Sequence, residues 1–397
     1  MKIAIDGRSI KEKPSGVGIW NLRFIHHLLR ESSHTIYLLL PKNCTYNFAN
    51  DSFFSQYIDK RLHLIPTPFT YSFVDFKRFF FEQFGLIKLL VSLNVDIYHA
   101  TDSFGLPFLL PAYIKTVITC HDMIPYTPYR EYMNGMQFLF YNAAIKISLK
   151  KATRVIAISD QTRDDILTYT HTGKEISVIY NGIDKLKKLP EDTQKTQWEE
   201  ISEIHNLSSE NYIFYFGGFG PRKNVLSVVE TFLYLRKNKL IKKDCKLILC
   251  GRITNAKKAS LESLQSINEL IKKYSIAQSV IILDYISEET KLVLIQNALL
   301  CLFFYLYEGF GFAPIEVLQQ NKLVVFTKTG IWQSYKQENI LIVENPLDSH
   351  EMNEKVALVL KEKKEIQHRA LTMLQQFIQQ FSWSKMTQEY LEVYKNL

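Results

Sequence analysis

The sequence predicts an α/β protein of two doubly wound parallel-sheet domains that face each other across a cleft. The chain has 397 residues, enough for two domains of ~100–200 residues each. Short apolar runs rich in β-branched residues alternate with segments of helical periodicity, as in βαβ units. The alternation stops in a polar stretch at residues 187–208 and then starts again. We therefore expect residues 1–186 and 209–382 to be the two domains.

The first predicted domain contains six strand-like runs, each followed by polar or turn residues. The segment 19–30 between the first two runs has helical spacing, and the last run ends at the Asn181-Gly182 turn. Sheets built from such βαβ units carry helices on both faces. The six runs are residues 2–6, 35–40, 96–100, 116–120, 154–159 and 177–180.

The second predicted domain repeats the pattern after a linker at residues 187–208, which contains Pro190 and no apolar rhythm. Ligands of doubly wound sheets bind beyond the carboxyl ends of the strands, so the cleft between the domains is the predicted site. The strands are residues 212–216, 246–250, 280–283, 300–304 and 323–326, and the helices are 225–239, 259–274 and 288–298.

Composition limits the cellular setting. No run reaches the ~18 apolar residues of a membrane-spanning helix, and Asp6 comes too early for the apolar core of a signal peptide. The five cysteines are scattered without a C-x-x-C pair, which excludes a disulfide framework or a zinc cage. We expect a cytoplasmic protein. The aromatic, mildly basic segment 73–90 leaves two alternatives, a helix at the inner face of the membrane or an ordinary buried helix, and the second is favoured.

The formal net charge of +8 favours anionic partners without choosing among them. No nucleic-acid-binding motif accompanies that charge, so we expect no nucleic-acid partner. Several cofactor chemistries are also excluded. Asn21 replaces the third glycine of a G-x-G-x-x-G loop, and the sequence contains no P-loop, no H-E-x-x-H and no D-x-D. An enzyme with this sequence is expected to work without a bound metal or other cofactor.

The most informative motif is residues 307–316, in which two glutamates lie eight positions apart on either side of a glycine pair. Glu308 follows an apolar strand, and Pro314 suits the first turn of a helix that would contain Glu316. The N-terminus of such a helix offers free N–H groups and partial positive charge to a pyrophosphate. The residues between the glutamates that would approach this ligand are Gly309, Phe310 and Gly311.

A second glycine-rich loop, residues 216–224, also leads from a strand to a helix. Gly217 and Gly218 allow close backbone approach, Arg222 supplies a forked donor for phosphate oxygens, and Lys223 supplies a point charge. Neutralising a leaving diphosphate is how a transferase without a metal would stabilise its transition state. A solvated basic turn explains the loop alone equally well, but the glutamate motif in the same domain favours the functional interpretation.

Two weaker signals lie in the first domain. A strand delivers His121 and Asp122 to its carboxyl end, where the cleft is expected. A single histidine there is more often structural than catalytic. Gly16 and Gly18 would let a ligand approach the backbone, although a plain tight turn explains them nearly as well.

Together these motifs resemble glycosyltransferase family 4, whose members are retaining enzymes of the GT-B fold with two Rossmann-like domains. The resemblance extends over essentially the whole chain and is strongest to the branch that contains bacterial mannosyltransferases of surface polysaccharides. Gly217 stands where many members carry an arginine, and Asn321 stands where they carry a helix-ending glycine. Asparagine can adopt the same left-handed conformation. The other shared segments are His121-Asp122 with Pro125, residues 181–184 and residues 381–383.

The resemblance implies roles for individual residues. Glu316 would hold the nucleotide ribose, Glu308 the donor sugar and diphosphate, and His121 the transferred sugar. Arg222 and Lys223 would bind the diphosphate, with Gly16 and Gly18 lining the diphosphate and acceptor side. Arg252 and Tyr285 lie where the base pocket is expected, and a C-terminal helix, residues 383–397, would pack back on the first domain.

The expected activity is therefore hexosyl transfer from a nucleotide sugar, GDP-mannose before a UDP-sugar, to a glycan or lipid-linked glycan. Two alternatives remain. A non-catalytic subunit of a glycan-assembly complex would keep the fold but would be free to lose the charged site residues. A sugar-nucleotide epimerase would interconvert free sugar nucleotides without an acceptor.

Overall fold

The structure, a computed structural model, describes residues 1–12, 16–69, 80–130, 135–185, 189–254 and 256–397, without the side chains of residues 364, 367 and 368. These residues form two compact units. The N-terminal unit comprises Met1–Asp184 together with Phe381–Leu397, and the C-terminal unit comprises Lys185–Gln380.

Within its described residues, the N-terminal unit contains a seven-stranded parallel sheet in the order β3-β2-β1-β4-β5-β6-β7. The order reverses between β1 and β4, as expected of a doubly wound sheet. The edge strand β3 was not predicted, because His63 and Pro66 interrupt its apolar pattern; proline is tolerated on an edge strand. The strands are β1 (Lys2–Asp6), β2 (Thr35–Pro41), β3 (Leu62–Thr67), β4 (Ile97–Ala100), β5 (Lys115–Cys120), β6 (Arg154–Ala157) and β7 (Ile176–Val178).

Helices cover both faces of this sheet, and each face has its own hydrophobic cluster. Strand β6 ends two residues before its predicted end, because Ser159 caps the next helix and its side chain accepts a hydrogen bond from Thr162 N–H. The helices are α1 (Val17–Glu31), α2 (Leu86–Ser92), α3 (Gly135–Lys151) and α4 (Asp160–Thr170).

The aromatic segment 73–90 is described only from residue 80 onward, so residues 73–79 lie outside the described part. A π-helical turn, Phe81–Gly85, leads into α2, whose Leu86 and Leu90 are fully buried in the core. Phe80 and Phe84 are exposed. The buried-helix alternative therefore holds for the inner face of α2. None of the described helices is long and apolar enough to cross a bilayer.

The C-terminal unit, in the part described, has a six-stranded parallel sheet in the order β10-β9-β8-β11-β12-β13. Its strands are β8 (Tyr212–Phe216), β9 (Lys246–Cys250), β10 (Val280–Leu283), β11 (Leu300–Phe303), β12 (Val324–Thr327) and β13 (Ile342–Val343). Strand β13 has two residues, too few for a recognisable pattern. The helices are α5 (Glu191–His205), α6 (Val225–Lys237), α7 (Lys258–Lys273), α8 (Glu288–Asn297), α9 (Phe312–Gln319), α10 (Ser349–Lys361) and α11 (Lys363–Gln379).

Helix α5 occupies most of the segment that was predicted as a linker. Pro190 precedes its first turn, Glu191 and Asp192 complement the helix dipole, and Asn206 ends it in the left-handed conformation with φ 48°. Trp198 stacks on Tyr212 at 6.2 Å between ring centroids. Ile201 is buried on α5. Charge and capping define this helix, so apolar periodicity did not reveal it.

The last helix, α12 (Trp383–Lys395), belongs to the N-terminal unit. A Cβ on Gly182 would lie 2.5 Å from the Trp383 backbone, so glycine is required where the turn after β7 meets the start of α12. Tyr394 Oη lies 2.6 Å from His99 Nδ1 on β4. Tyr390 Oη lies 2.8 Å from Thr119 Oγ1 on β5. These buried polar contacts attach α12 to the sheet.

Candidate active site

The order of strands in the C-terminal sheet reverses between β8 and β11, which pair in parallel. The loops that follow these two strands therefore leave the same edge of the sheet side by side. The Leu306 N–H donates to the Arg222 carbonyl at 2.8 Å and joins the two loops. The glycine-rich loop and the glutamate motif, predicted separately from the sequence, thus lie together at the switch point, where ligands of doubly wound sheets bind.

Glycines shape the loop after β8. Gly217 has φ 148° and donates its N–H to the Cys250 carbonyl at 2.9 Å. A Cβ on Gly251 would lie 2.2 Å from the Gly217 carbonyl oxygen, so the loops after β8 and β9 pack backbone to backbone. A Cβ on Gly218 would meet no atom of the described part of the chain within 4 Å. Gly251 is therefore required for packing, whereas Gly218 leaves open space beside the loop.

We expect Gly251→Ala to destabilise the protein by about 1–3 kcal/mol, because the added methyl group would displace the glycine-rich loop. Gly218→Ala is the matched control and is expected to change stability by less than about 0.5 kcal/mol, since its methyl group enters free space. Urea unfolding of both variants measures the difference. Equal stability of the two would show that the close packing of the loops is not required.

Arg222, Lys223 and Glu308 form a compact charged cluster at this edge. Arg222 Nη1 donates to Glu308 Oε1 at 2.7 Å and to the Tyr307 carbonyl at 3.1 Å. Lys223 Nζ donates to the same Glu308 oxygen and lies 3.9 Å from the centre of the Tyr305 ring. All three charged side chains are largely buried. The structure thus brings together three of the four residues predicted to be catalytic.

The cluster has an excess of positive charge. Burial opposes ionisation of Glu308, but Lys223 and Arg222 outweigh it and lower the pKa of Glu308 to about 2. The carboxylate is therefore charged throughout the physiological range, and two cations face one anion. Such a site can accept a further anion from solvent, and the two cations are already oriented before it arrives.

The loop after β11 ends at the N-terminus of α9. Gly311 caps this helix with φ 95°, and Pro314 lies in its first turn, as predicted. Gly309, Phe310 and Gly311 are buried between Glu308 and the helix. The first N–H groups of α9 lack partners within the helix and add to the positive potential. Asn321, which follows α9, has φ 55°, which confirms the left-handed conformation predicted for it.

Glu316 lies on α9 and forms an ion pair with Lys291 of α8, with 2.6 Å between Nζ and Oε2. Burial raises the pKa of Glu316, and Lys291 opposes this rise. The sequence did not indicate Lys291, because a single lysine in an amphipathic helix has no distinctive pattern. Only the packing of α8 against α9 reveals the pair.

The two residues predicted for a base pocket, Arg252 and Tyr285, lie in the loops after β9 and β10, and both are exposed. Asp284 shapes these loops by accepting N–H bonds from Ile253 at 2.8 Å and from Tyr285 at 2.7 Å. Hydrogen bonds from Thr254, Ile253 and Tyr285 hold the pKa of Asp284 well below its usual value. The structure therefore places Arg252 and Tyr285 in neighbouring loops at the carboxyl edge of the sheet.

In the N-terminal unit, His121 follows β5 and is buried. Its Nε2 lies 3.0 Å from the Thr101 carbonyl, and its ring contacts Trp20 edge-on at 5.0 Å between centroids. Burial lowers the pKa of His121 to about 4, so the ring is neutral near pH 7. Because a carbonyl can only accept, Nε2 carries the proton and Nδ1 is left as an acceptor.

The two glycines predicted to line the diphosphate and acceptor side lie at the start of α1. Gly16 is the N-cap of this helix, with φ 51°, and among the described residues a Cβ there would meet no atom within 4 Å. Gly18 is buried in the first turn. Trp20, two residues further, donates to Asn181 Oδ1 at 2.8 Å and so links α1 to the turn after β7.

Comparison with known proteins identifies the family. Residues 14–185 match the family model described as Glycosyltransferase Family 4, and residues 197–372 match that described as Glycosyl transferases group 1. The chain belongs to the GT-B glycosyltransferases. The family resemblance and the fold class predicted from the sequence are thereby confirmed, and the chain is a glycosyltransferase with the two-sheet architecture of this fold.

Individual relatives of this glycosyltransferase are distant. The O-antigen chain mannosyltransferase RfbU of Salmonella typhimurium is 26% identical over 242 residues, which cover 60% of this chain and 59% of RfbU. The serotype-specific mannosyltransferase WbdA of Escherichia coli is 22% identical over 52% of this chain and 24% of its own length. The chain therefore spans less than two thirds of RfbU and about a quarter of WbdA.

The solved structure of Anabaena HepE in complex with UDP-glucose superimposes with a TM-score of 0.69 at 17% identity and covers the whole of both chains. At this identity the similarity establishes the fold. Within the described part of the chain, no group of three or more His, Cys, Asp or Glu residues is placed to hold a metal ion.

Proposed function

We propose that this glycosyltransferase is a metal-independent, retaining hexosyltransferase that moves a sugar from a nucleotide diphosphate to a hydroxyl of a glycan. The observation that carries the proposal is the convergence of Arg222 and Lys223 on Glu308 at the switch point, next to the N-terminus of α9. Two oriented cations and a helix N-terminus supply the positive charge that a departing diphosphate requires.

In this mechanism the bond between the sugar C1 and the β-phosphate oxygen breaks while the acceptor oxygen bonds C1 on the same face. The acceptor proton passes to the departing phosphate oxygen. Arg222 and Lys223 stabilise the negative charge on the diphosphate. Glu308 would accept hydrogen bonds from hydroxyl groups of the donor sugar, and Glu316 would accept them from the ribose hydroxyls. The neutral His121 ring would accept a hydrogen bond from a further hydroxyl of the sugar through Nδ1.

GDP-mannose is the favoured donor. The enzyme would act in the synthesis of surface polysaccharides. Its support is the similarity to RfbU and WbdA, which are described as mannosyltransferases and are matched over part of their length. A UDP-sugar is the second candidate, because HepE, which shares the fold, binds UDP-glucose. The acceptor would be a glycan or a lipid-linked glycan.

The test is transfer from GDP-mannose or UDP-glucose to lipid-linked glycan acceptors in the presence of EDTA, with NMR assignment of the new anomeric configuration. We expect an α-linked product, the configuration of the donor. A β-linked product would contradict retention, and activity abolished by EDTA would contradict metal independence. Interconversion of the sugar nucleotide without acceptor would favour an epimerase, and nucleotide binding without any turnover would favour a non-catalytic subunit.

A further inference from the structure

Lys291 lies in the first turn of α8 and contacts the predicted ribose-binding glutamate. Its Nζ is 2.6 Å from Glu316 Oε2 and 2.7 Å from Glu288 Oε2, and 14% of its side chain is exposed. The same Nζ lies 5.5 Å from the centre of the Phe216 ring at the end of β8. The lysine therefore connects the strand that leads into the glycine-rich loop with the helix that carries Glu316.

We propose that Lys291 is a positioning residue, which keeps the Glu316 carboxylate ionised and oriented to accept the two hydroxyl groups of a nucleotide ribose. The inference rests on the proposed function. The Lys291 ammonium group can only donate hydrogen bonds, and its contact with Oε2 fixes the orientation of the carboxylate. Oε1 is then left to accept hydrogen bonds from a ligand. A carboxylate can accept both ribose hydroxyls, whereas a protonated carboxyl group has lost part of this capacity.

The surroundings of Glu316 make a nearby cation necessary. Burial raises the pKa of Glu316, Lys291 lowers it, and the Glu288 carboxylate raises it further. The buried Tyr305 phenol is also coupled to Glu316, but its own pKa is raised far above its usual value, so that it is neutral. Without Lys291, Glu316 would be a buried carboxylate with a second carboxylate near it, and both effects favour protonation.

A purely structural role would be the attachment of α8 to α9. The two roles differ in their pH dependence. A structural ion pair affects stability, whereas a positioning role affects nucleotide affinity, and does so more strongly as the pH falls and Glu316 takes up a proton. The pH dependence of nucleotide affinity therefore distinguishes the two roles. The terminal phosphate of the nucleotide also titrates in every variant, so its contribution to the pH dependence has to be subtracted.

The experiment is calorimetric measurement of the dissociation constants for GDP and UDP from pH 5 to 8.5 in EDTA. For Lys291→Met we expect the pH at which affinity is half lost to move up by about one unit or more. Lys291→Arg should restore the wild-type profile, because it returns the cation. Lys258→Met is the matched control, since Lys258 pairs with Glu262 at 3.8 Å but is 91% exposed. Its profile should not change.

Glu316→Gln provides the reference for subtraction, because glutamine cannot titrate and the profile of this variant keeps the ionisation of the nucleotide without that of residue 316. A Lys291→Met protein that melts like the wild type and keeps the wild-type profile would overturn the inference, as would Lys291→Arg behaving like Lys291→Met. If the wild-type chain bound neither GDP nor UDP at any pH, the proposed function would fail, and the inference with it.

Discussion

Replacement of Arg222 or Lys223 by alanine is expected to lower the turnover number about 10²- to 10³-fold, the usual cost of removing one preorganised donor from a developing negative charge. Arg222 Nη1 lies 2.7 Å from Glu308 Oε1, and Lys223 contacts the same oxygen. Because both side chains are held in place before a ligand arrives, little reorganisation is required when charge develops on the diphosphate.

The two replacements should not be additive. Each cation lowers the pKa of Glu308, so the loss of either one also weakens the ionisation of the buried carboxylate. The double variant should therefore lose less than the product of the two single effects. Lys237→Ala is the matched control: it also removes one positive charge, but from the exposed end of α6. Its turnover should equal that of the wild type.

Steady-state kinetics with saturating acceptor measures these effects, and circular dichroism establishes that the variants are folded. A loss in the turnover number indicates stabilisation of the transition state, whereas a loss confined to KM indicates uniform binding of the donor. Turnover within a few-fold of the wild type in folded Arg222→Ala and Lys223→Ala would contradict the proposed charge stabilisation.

Acidification from pH 7.5 to pH 5 is expected to destabilise the N-terminal unit through two buried histidines. Burial, together with nearby His121, lowers the pKa of His99 to about 3, and burial lowers that of His121 to about 4. An unfolded histidine takes up a proton near pH 6.5, so between pH 6.5 and these values the unfolded state binds more protons. The contribution of the neutral histidines to the free energy of unfolding is therefore fully present above pH 6.5. It falls as the pH decreases, by about 2 kcal/mol per histidine at pH 5.

Urea unfolding at the two pH values measures this effect. His99→Gln is expected to be less stable than the wild type at pH 7.5, because His99 contacts Thr119 and Tyr394. It should nevertheless lose about 2 kcal/mol less on acidification, since glutamine does not titrate. His350→Gln is the control, because this side chain is exposed. Equal acid losses in the wild type and His99→Gln would show that His99 is not buried as a neutral ring.

Much of the fold could be predicted because buried parallel strands are short, continuous apolar runs. The exceptions have physical reasons. Strand β3 contains Pro66 at an edge, β13 has two residues, and α5 is defined by its caps and charges. The left-handed Asn321 could be predicted, because few residue types adopt that conformation and asparagine is one of them.

The site could be predicted in part for a similar reason. Glu308, Arg222 and Lys223 lie in loops whose glycines mark close approach to a ligand, and the parallel topology then brings these loops together. Lys291 could not be predicted, because its partner Glu316 is 25 residues away and only tertiary packing joins α8 to α9. Arg252 and Tyr285 were predicted for the base pocket from their positions in the sequence. The structure adds Asp284 beside them, whose carboxylate accepts backbone N–H bonds within these loops.

Thermal unfolding with GDP, UDP, TDP and ADP in EDTA tests the central claim most directly. The claim is that Arg222, Lys223 and Glu308 form a diphosphate site that needs no metal. A nucleotide at ~100 times its dissociation constant should add about 2.7 kcal/mol of stability. We predict stabilisation by GDP, and its loss in the Arg222→Ala, Lys223→Ala double variant. If none of the four nucleotides raised the unfolding temperature, or if the double variant kept the shift, the account would be contradicted.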